Sequence, residues 1–150
     1  MTTASALTRD ANRQPIWTDG LIVSKTRTYT GSAGDGGIGS ATLFTVTGDA
    51  IVVVFASCTT SVEGTASTLE VGINGNTAAL IAQTNGTAIQ AGEIWLDATP
   101  ATIESLPTAK LVVGGTDIVE TVASGSATAG VMKFYCLWRP LSSDADIVAA

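Results

Sequence analysis

The sequence predicts an all-β fold, an antiparallel β-sandwich of jelly-roll-like arrangement with an extended N-terminal arm. Three observations predict it. From Leu21 to Leu141 the chain is a series of short runs rich in Val, Ile and Thr. Gly, Asn, Asp and Ser break these runs about every 8–12 residues, the turn spacing of sandwiches and barrels. Residues 1–20, in contrast, are polar and aperiodic. The chain thus divides into an arm (1–20), a β-sandwich body (21–141) and a short tail (142–150). Its 150 residues suit one domain with a sizeable core.

Leu21–Thr30 alternates Thr26, Thr28 and Thr30 with Lys25, Arg27 and Tyr29. Neither set is strongly apolar, so an edge strand is expected. Gly31–Gly39 (GSAGDGGIG) reads as a glycine-rich loop. Ala41–Thr47 resumes alternation, with Leu43 opposite Phe44 and Val46, and Gly48-Asp49 marks a tight turn. Ala50–Thr60 is apolar on both faces in its first half: Ile51, Val53 and Phe55 against Val52, Val54 and Ala56. Such a strand is central, and its second face needs cover, from another subunit or from the chain's own loops. Ile51, Val53 and Phe55 are the candidate oligomer interface.

Leu69, Val71 and Ile73 alternate with Glu70, Gly72 and Asn74, and Asn74-Gly75-Asn76 is a hairpin turn. Thr77–Gln83 follows as a strand, although AALIA is also a good helix former. Ile94–Asp97, Ala101–Glu104, Lys110–Val113 and Asp117–Val122 are short strands. The clearest alternation is Val131–Arg139. Met132, Phe134, Cys136 and Trp138 make a core face, and Pro140 ends the strand.

Charged residues are only 13% of the chain, and the formal net charge is −6. The seven Lys and Arg are scattered, so no nucleic-acid footprint is present. The most apolar run, Ala50–Ala56, is too short to span a membrane. The N-terminus lacks the charge and apolar pattern of a secretory signal, which predicts folding in a cytoplasm. Two cysteines, Cys58 and Cys136, fall within predicted strands. They read as buried free thiols, with a bridge formed later in an oxidising exterior as the alternative.

The chain has no histidine. Nucleophilic triads that need one are therefore impossible, and the commonest general base and metal ligand is missing. Asp97, Glu104, Asp117 and Glu120 lack the aromatic surroundings of a sugar-cleaving carboxylate pair. Gly34-Asp35-Gly36-Gly37 lacks the Lys-Ser/Thr of a phosphate-binding loop. Asp35, Asp49 and Asp117 match no calcium motif. No enzymatic activity, metal or cofactor is expected. Trp138 reads as core and Trp95 as ambiguous. Trp17 lies in the arm, beyond any core alternation, and suits an anchor that fills a partner's pocket. Beside it, Arg9, Asp10, Asn12 and Arg13 suit charge-assisted hydrogen bonds to a partner, and Pro15 favours an extended path.

Leu7–Pro15 (LTRDANRQP) resembles the RD-x-N-R-x-P opening found in many tailed-phage virion proteins. Thr77–Ala82, Glu93–Pro100 and Phe134–Leu141 are similar to segments of small phage structural proteins. Within that class, the size and arm resemble capsid decoration (cement) proteins. The resemblance implies a β-rich homotrimer on the virion's capsid exterior, made in the host cytoplasm. Its extended termini would grip the major capsid protein, with no nucleic acid or membrane as partner. The alternative is a tail, baseplate or head-fibre component that binds a receptor or glycan.

Overall fold

The computed structural model describes residues 21–150. The expected arm lies outside the described residues. Ten strands follow in order: β1 (Leu21–Thr28), β2 (Gly39–Thr47), β3 (Ala50–Glu63), β4 (Thr68–Ile73), β5 (Asn76–Asn85), β6 (Ile94–Trp95), β7 (Lys110–Val112), β8 (Ile118–Ala123), β9 (Ala129–Pro140) and β10 (Asp146–Ala149). They form two five-stranded antiparallel sheets, a β-sandwich as the turn spacing predicts. The first sheet runs β1-β9-β3, with β6 and β7 sharing the far edge of β3. The second runs β10-β2-β8-β4-β5.

The β3–β9 pair is the spine. Its register runs from Ala50↔Pro140 to Glu63↔Ala129, with Val54 opposite Cys136. Side chains alternate across each strand. Ala50, Val52, Val54, Ala56 and Cys58 of β3 therefore meet Met132, Phe134, Cys136 and Trp138 of β9 in the buried core. The second sheet contributes Leu43, Phe44, Leu69, Val71 and Ile118. Trp95 is fully buried, edge-on to Phe134 at 6.1 Å between centroids. Its indole N–H donates to Thr84 Oγ1 at 2.9 Å, which resolves the ambiguity of its sequence context in favour of packing.

Several local expectations change. Leu43 and Phe44 are both buried because a register shift between Thr42 and Phe44, opposite β8, breaks the alternation. Ala101–Glu104 is not a strand. Only Ala101 pairs, with Ile94, and residues 96–109 otherwise form a long excursion between β6 and β7. Residues 146–149, placed by sequence in the tail, form β10 against β2. β10 has only four residues, and outward Val148 is as apolar as inward Ile147, so alternation signals it weakly.

Both cysteines are free and buried. On the spine, Cys58 lies four residues beyond the partner of Cys136, about 13 Å along the strand. A disulfide needs Cα atoms within about 7 Å, so none can close here. Burial pushes the Cys136 thiol up to about 12 and raises Cys58 as well. Neither thiol should react with an aromatic disulfide reagent at pH 8 in native protein, and both should react after unfolding. Cys136→Ser should cost about 1–3 kcal/mol, since it buries a hydroxyl without a matched partner. Intact-mass measurement showing a 58–136 bridge would contradict this geometry.

Candidate functional site: an apolar outer sheet face above a buried ion pair

The outward positions of the first sheet align in rows. Ile22 of β1, Leu137 of β9 and Val53 of β3 are cross-strand neighbours. Leu111 of β7 lies opposite Ile51, which lies opposite Arg139. Tyr135 and Phe55 face each other with rings stacked 5.3 Å apart. Lys133 sets its ammonium 5.3 Å from the Tyr135 ring centroid. Ile22 is 61% exposed and Leu111 69%. Ile51, Val53 and Phe55 are half-buried by their neighbours, and the sequence pattern placed them together correctly.

The outer face of the second sheet differs. Ser40 and Thr121 share a hydroxyl hydrogen bond of 2.7 Å, and Thr77 donates to Glu70. Thr45 and Thr47 pair with Val148 and Asp146. One outer face thus carries aliphatic and aromatic side chains at the Ile22–Leu137–Val53 end, with Ser24, Thr26, Thr28 and Ser57 toward the other, whereas the second sheet's carries mainly hydroxyls and carboxylates.

Sequence reading missed the charge cluster between the sheets. Glu120 of β8 is 1% exposed. Arg27 Nε of β1 donates to its Oε2 at 3.0 Å, and the Tyr29 hydroxyl donates to Oε1. Arg27 also reaches Asp35 of the glycine-rich loop at 3.5 Å. The loop is held by its backbone too: Thr30 and Gly31 N–H donate to the Asp35 carbonyl. Gly36, at φ +94°, packs where a Cβ would strike the Ala127 carbonyl. Nearby, Lys25 Nζ donates to the carbonyls of Thr42 and Ala150, tying β1 to the second sheet. The signal in sequence was the odd face of β1, where Lys25, Arg27 and Tyr29 alternate. That face turns inward.

A recess of about 230 Å³ opens between the glycine-rich loop and this ion pair. Among the described residues no buried side-chain N or O lacks a hydrogen bond. The floor's polar groups are therefore already spent on one another, and the cluster serves to join β1, β8 and the loop. Asp97 and Glu104 lie in the 96–109 excursion, and Asp117 accepts from the Val46 N–H. Asp49 accepts from the Gly114 N–H, so these acids act separately. Among the described residues no group of three or more acids or thiols is placed to hold a metal ion. Arg9, Asp10, Asn12, Arg13, Pro15 and Trp17 lie outside the described residues.

No protein-family model, curated protein or solved structure matches the chain.

Burial raises the Glu120 carboxyl above the ordinary carboxylate range, while Tyr29 and Arg27 pull it back down. The folded chain therefore binds this proton more tightly than the unfolded chain. The contribution of Glu120 to stability grows as pH falls from its raised folded value to its ordinary one, and shrinks as pH rises through the folded value. Arg27→Leu strips the compensating cation and strands a buried charge. It should cost roughly 3–5 kcal/mol at neutral pH, and the loss should narrow as acid protonates Glu120. Chemical denaturation of wild type, Arg27→Leu and Arg27→Leu/Glu120→Gln between pH 7 and 5 checks this. The double variant should be nearly flat relative to Arg27→Leu, and a pH-independent Arg27→Leu penalty would contradict it.

Proposed function

We propose that this chain is a structural protein of a tailed-phage virion, acting as a capsid decoration protein that self-associates and binds the shell. The observation that carries this reading is the outer face of the first sheet. It presents exposed Ile22 and Leu111 beside half-buried Ile51, Val53, Phe55 and Leu137 in contiguous rows. Apolar patches of this kind on a small domain mark interaction surfaces. The resemblance of Leu7–Pro15 and of three body segments to phage structural proteins supplies the virion context.

The mechanism is additive. Each Å² of apolar surface removed from water contributes about 25 cal/mol. A protein that binds only the assembled shell stabilises that shell by mass action, multiplied over many copies. In this reading the sandwich supplies contacts between copies. The arm supplies the grip on the major capsid protein, through Arg9, Asp10, Asn12, Arg13, Pro15 and Trp17. Twenty residues reach up to ~70 Å when extended, enough to cross onto a neighbouring subunit.

Deleting residues 1–17 should leave thermal unfolding of the body nearly unchanged and remove co-sedimentation with shells that lack the protein. Equal binding by truncated and full-length chains would dismiss the arm as the grip. Copy number in purified virions tests the reading as a whole. Hundreds of copies fit a shell protein, whereas a handful would move the protein to the tail.

A further inference from the structure

We infer that the outer face of the first sheet is covered by the 96–109 excursion of a second copy of this chain. The inference rests on the self-association proposed above and names the segment that makes the contact.

The excursion joins β6 to β7, two short strands that pair with the same edge of β3. Fourteen residues are spent on a step that moves only a few residues along that edge. Connections of this length in compact domains usually carry function. Leu96 tucks inward at its start, but the two large apolar side chains at its middle face water: Ile103 is 84% exposed and Leu106 is 64% exposed. They do not fold back onto the chain's own apolar face, although that face begins at the same sheet edge. Between them stands Glu104, and Asp97 opens the segment.

The charges of the two surfaces are complementary. Five basic residues fall among the described residues. Lys25 and Arg27 reach inward, between the sheets. The other three, Lys110, Lys133 and Arg139, are all on β7 and β9 of the first sheet. An apolar face bearing Lys133 and Arg139 therefore meets, in the excursion, an apolar segment bearing Asp97 and Glu104. A two-fold pairing of one outer face with another would instead oppose like charges, which disfavours it. Size also fits. Three strands, β1, β9 and β3, about 4.8 Å apart and eight residues long give roughly 400 Å² in projection. A stable interface takes about 800 Å² of accessible surface from each partner, the same order.

The contact is heterologous: one copy's face takes the next copy's edge segment. Contacts of that type close into rings or run on as filaments. A homotrimer is such a ring.

The test is sedimentation velocity of the full-length protein. Wild type should sediment as an oligomer at tens of micromolar. Ile103→Asp, which spoils the segment, and Leu137→Asp, which spoils the face, should each sediment as monomers. Far-UV circular dichroism checks folding, and the exposed change Lys133→Glu replaces Leu137→Asp should that variant not fold. Mixed in equal amounts, a segment variant and a face variant keep one intact contact. They should form two-chain complexes and nothing larger. The charge reversals Lys133→Glu and Glu104→Lys should each weaken association, and their combination in one chain should restore it. A monomeric wild type overturns the inference. So does a mixture that remains monomeric, or association untouched by both Ile103→Asp and Glu104→Lys. In the last case self-association stands and only the excursion's role falls. Shell binding is a separate readout in the co-sedimentation assay.

Discussion

The antiparallel pairing of β3 with β9 is the constraint on which the rest of this molecule depends. These are the two longest strands, and they pair over nearly their whole length. One register decides both faces at once. It brings Val52, Val54 and Ala56 beside Trp138, Cys136 and Phe134 inside, and Val53 and Phe55 beside Leu137 and Tyr135 outside. A slip of one residue would exchange the two sets. Such a slip would bury Lys133 and Arg139 in place of Phe134 and Trp138, so desolvation of two cations guards the register. The same guard ensures that the apolar rows on the outside are a fixed feature of the fold.

Closing the sandwich adds a second, costlier device. Glu120 is taken almost wholly out of water, and its attraction to Arg27 has to offset that desolvation. Buried ion pairs often contribute little net stability compared with apolar packing. What this one supplies is directional. Arg27 belongs to the first sheet, Glu120 to the second and Asp35 to the glycine-rich loop, so one guanidinium aligns three parts of the chain. Tyr29 completes the cluster, its own hydroxyl held protonated by burial and by the Glu120 charge. An apolar substitute would fill the space without specifying which strands meet there.

The legible parts of the sequence were those in which one physical pattern acted alone. Val131–Arg139 alternates cleanly, and its core face was readable down to Cys136 and Trp138. Asn74-Gly75-Asn76 marked its hairpin because Gly75 adopts φ +86°, which few other residues accept. Ile51, Val53 and Phe55 were recognisable as a second apolar face because the first half of β3 is apolar on both sides. Legibility failed where long-range partners override the local pattern. Arg27 and Glu120 look like surface charges in sequence, 93 residues apart, and only the meeting of β1 with β8 makes them a pair. Leu43 and Phe44 defeat alternation through an irregular register set by β8. The excursion at 96–109 contains strand-like residues, yet little of it finds an edge to pair with.

The two outer faces solve different problems. The hydroxyls of Ser40, Thr45, Thr47 and Thr121 keep the second sheet wetted without adding much charge. A threonine surface of this kind is at ease in water and competes weakly for partners. The first sheet's outer face carries hydroxyls at one end, on Ser24, Thr26, Thr28 and Ser57, and apolar groups at the other. Its rows of Ile22–Leu137–Val53 and Leu111–Ile51 leave hydrocarbon in water in a chain that has only 13% charged residues to keep it dispersed. Net repulsion from a charge of −6 opposes indiscriminate clustering. Among the described residues Lys133 and Arg139 stand on that same face, so an acidic surface is attracted to it and another basic face is repelled. Hydrophobic burial then supplies the affinity of whatever docks there, and the uneven placement of a few charges supplies its choice.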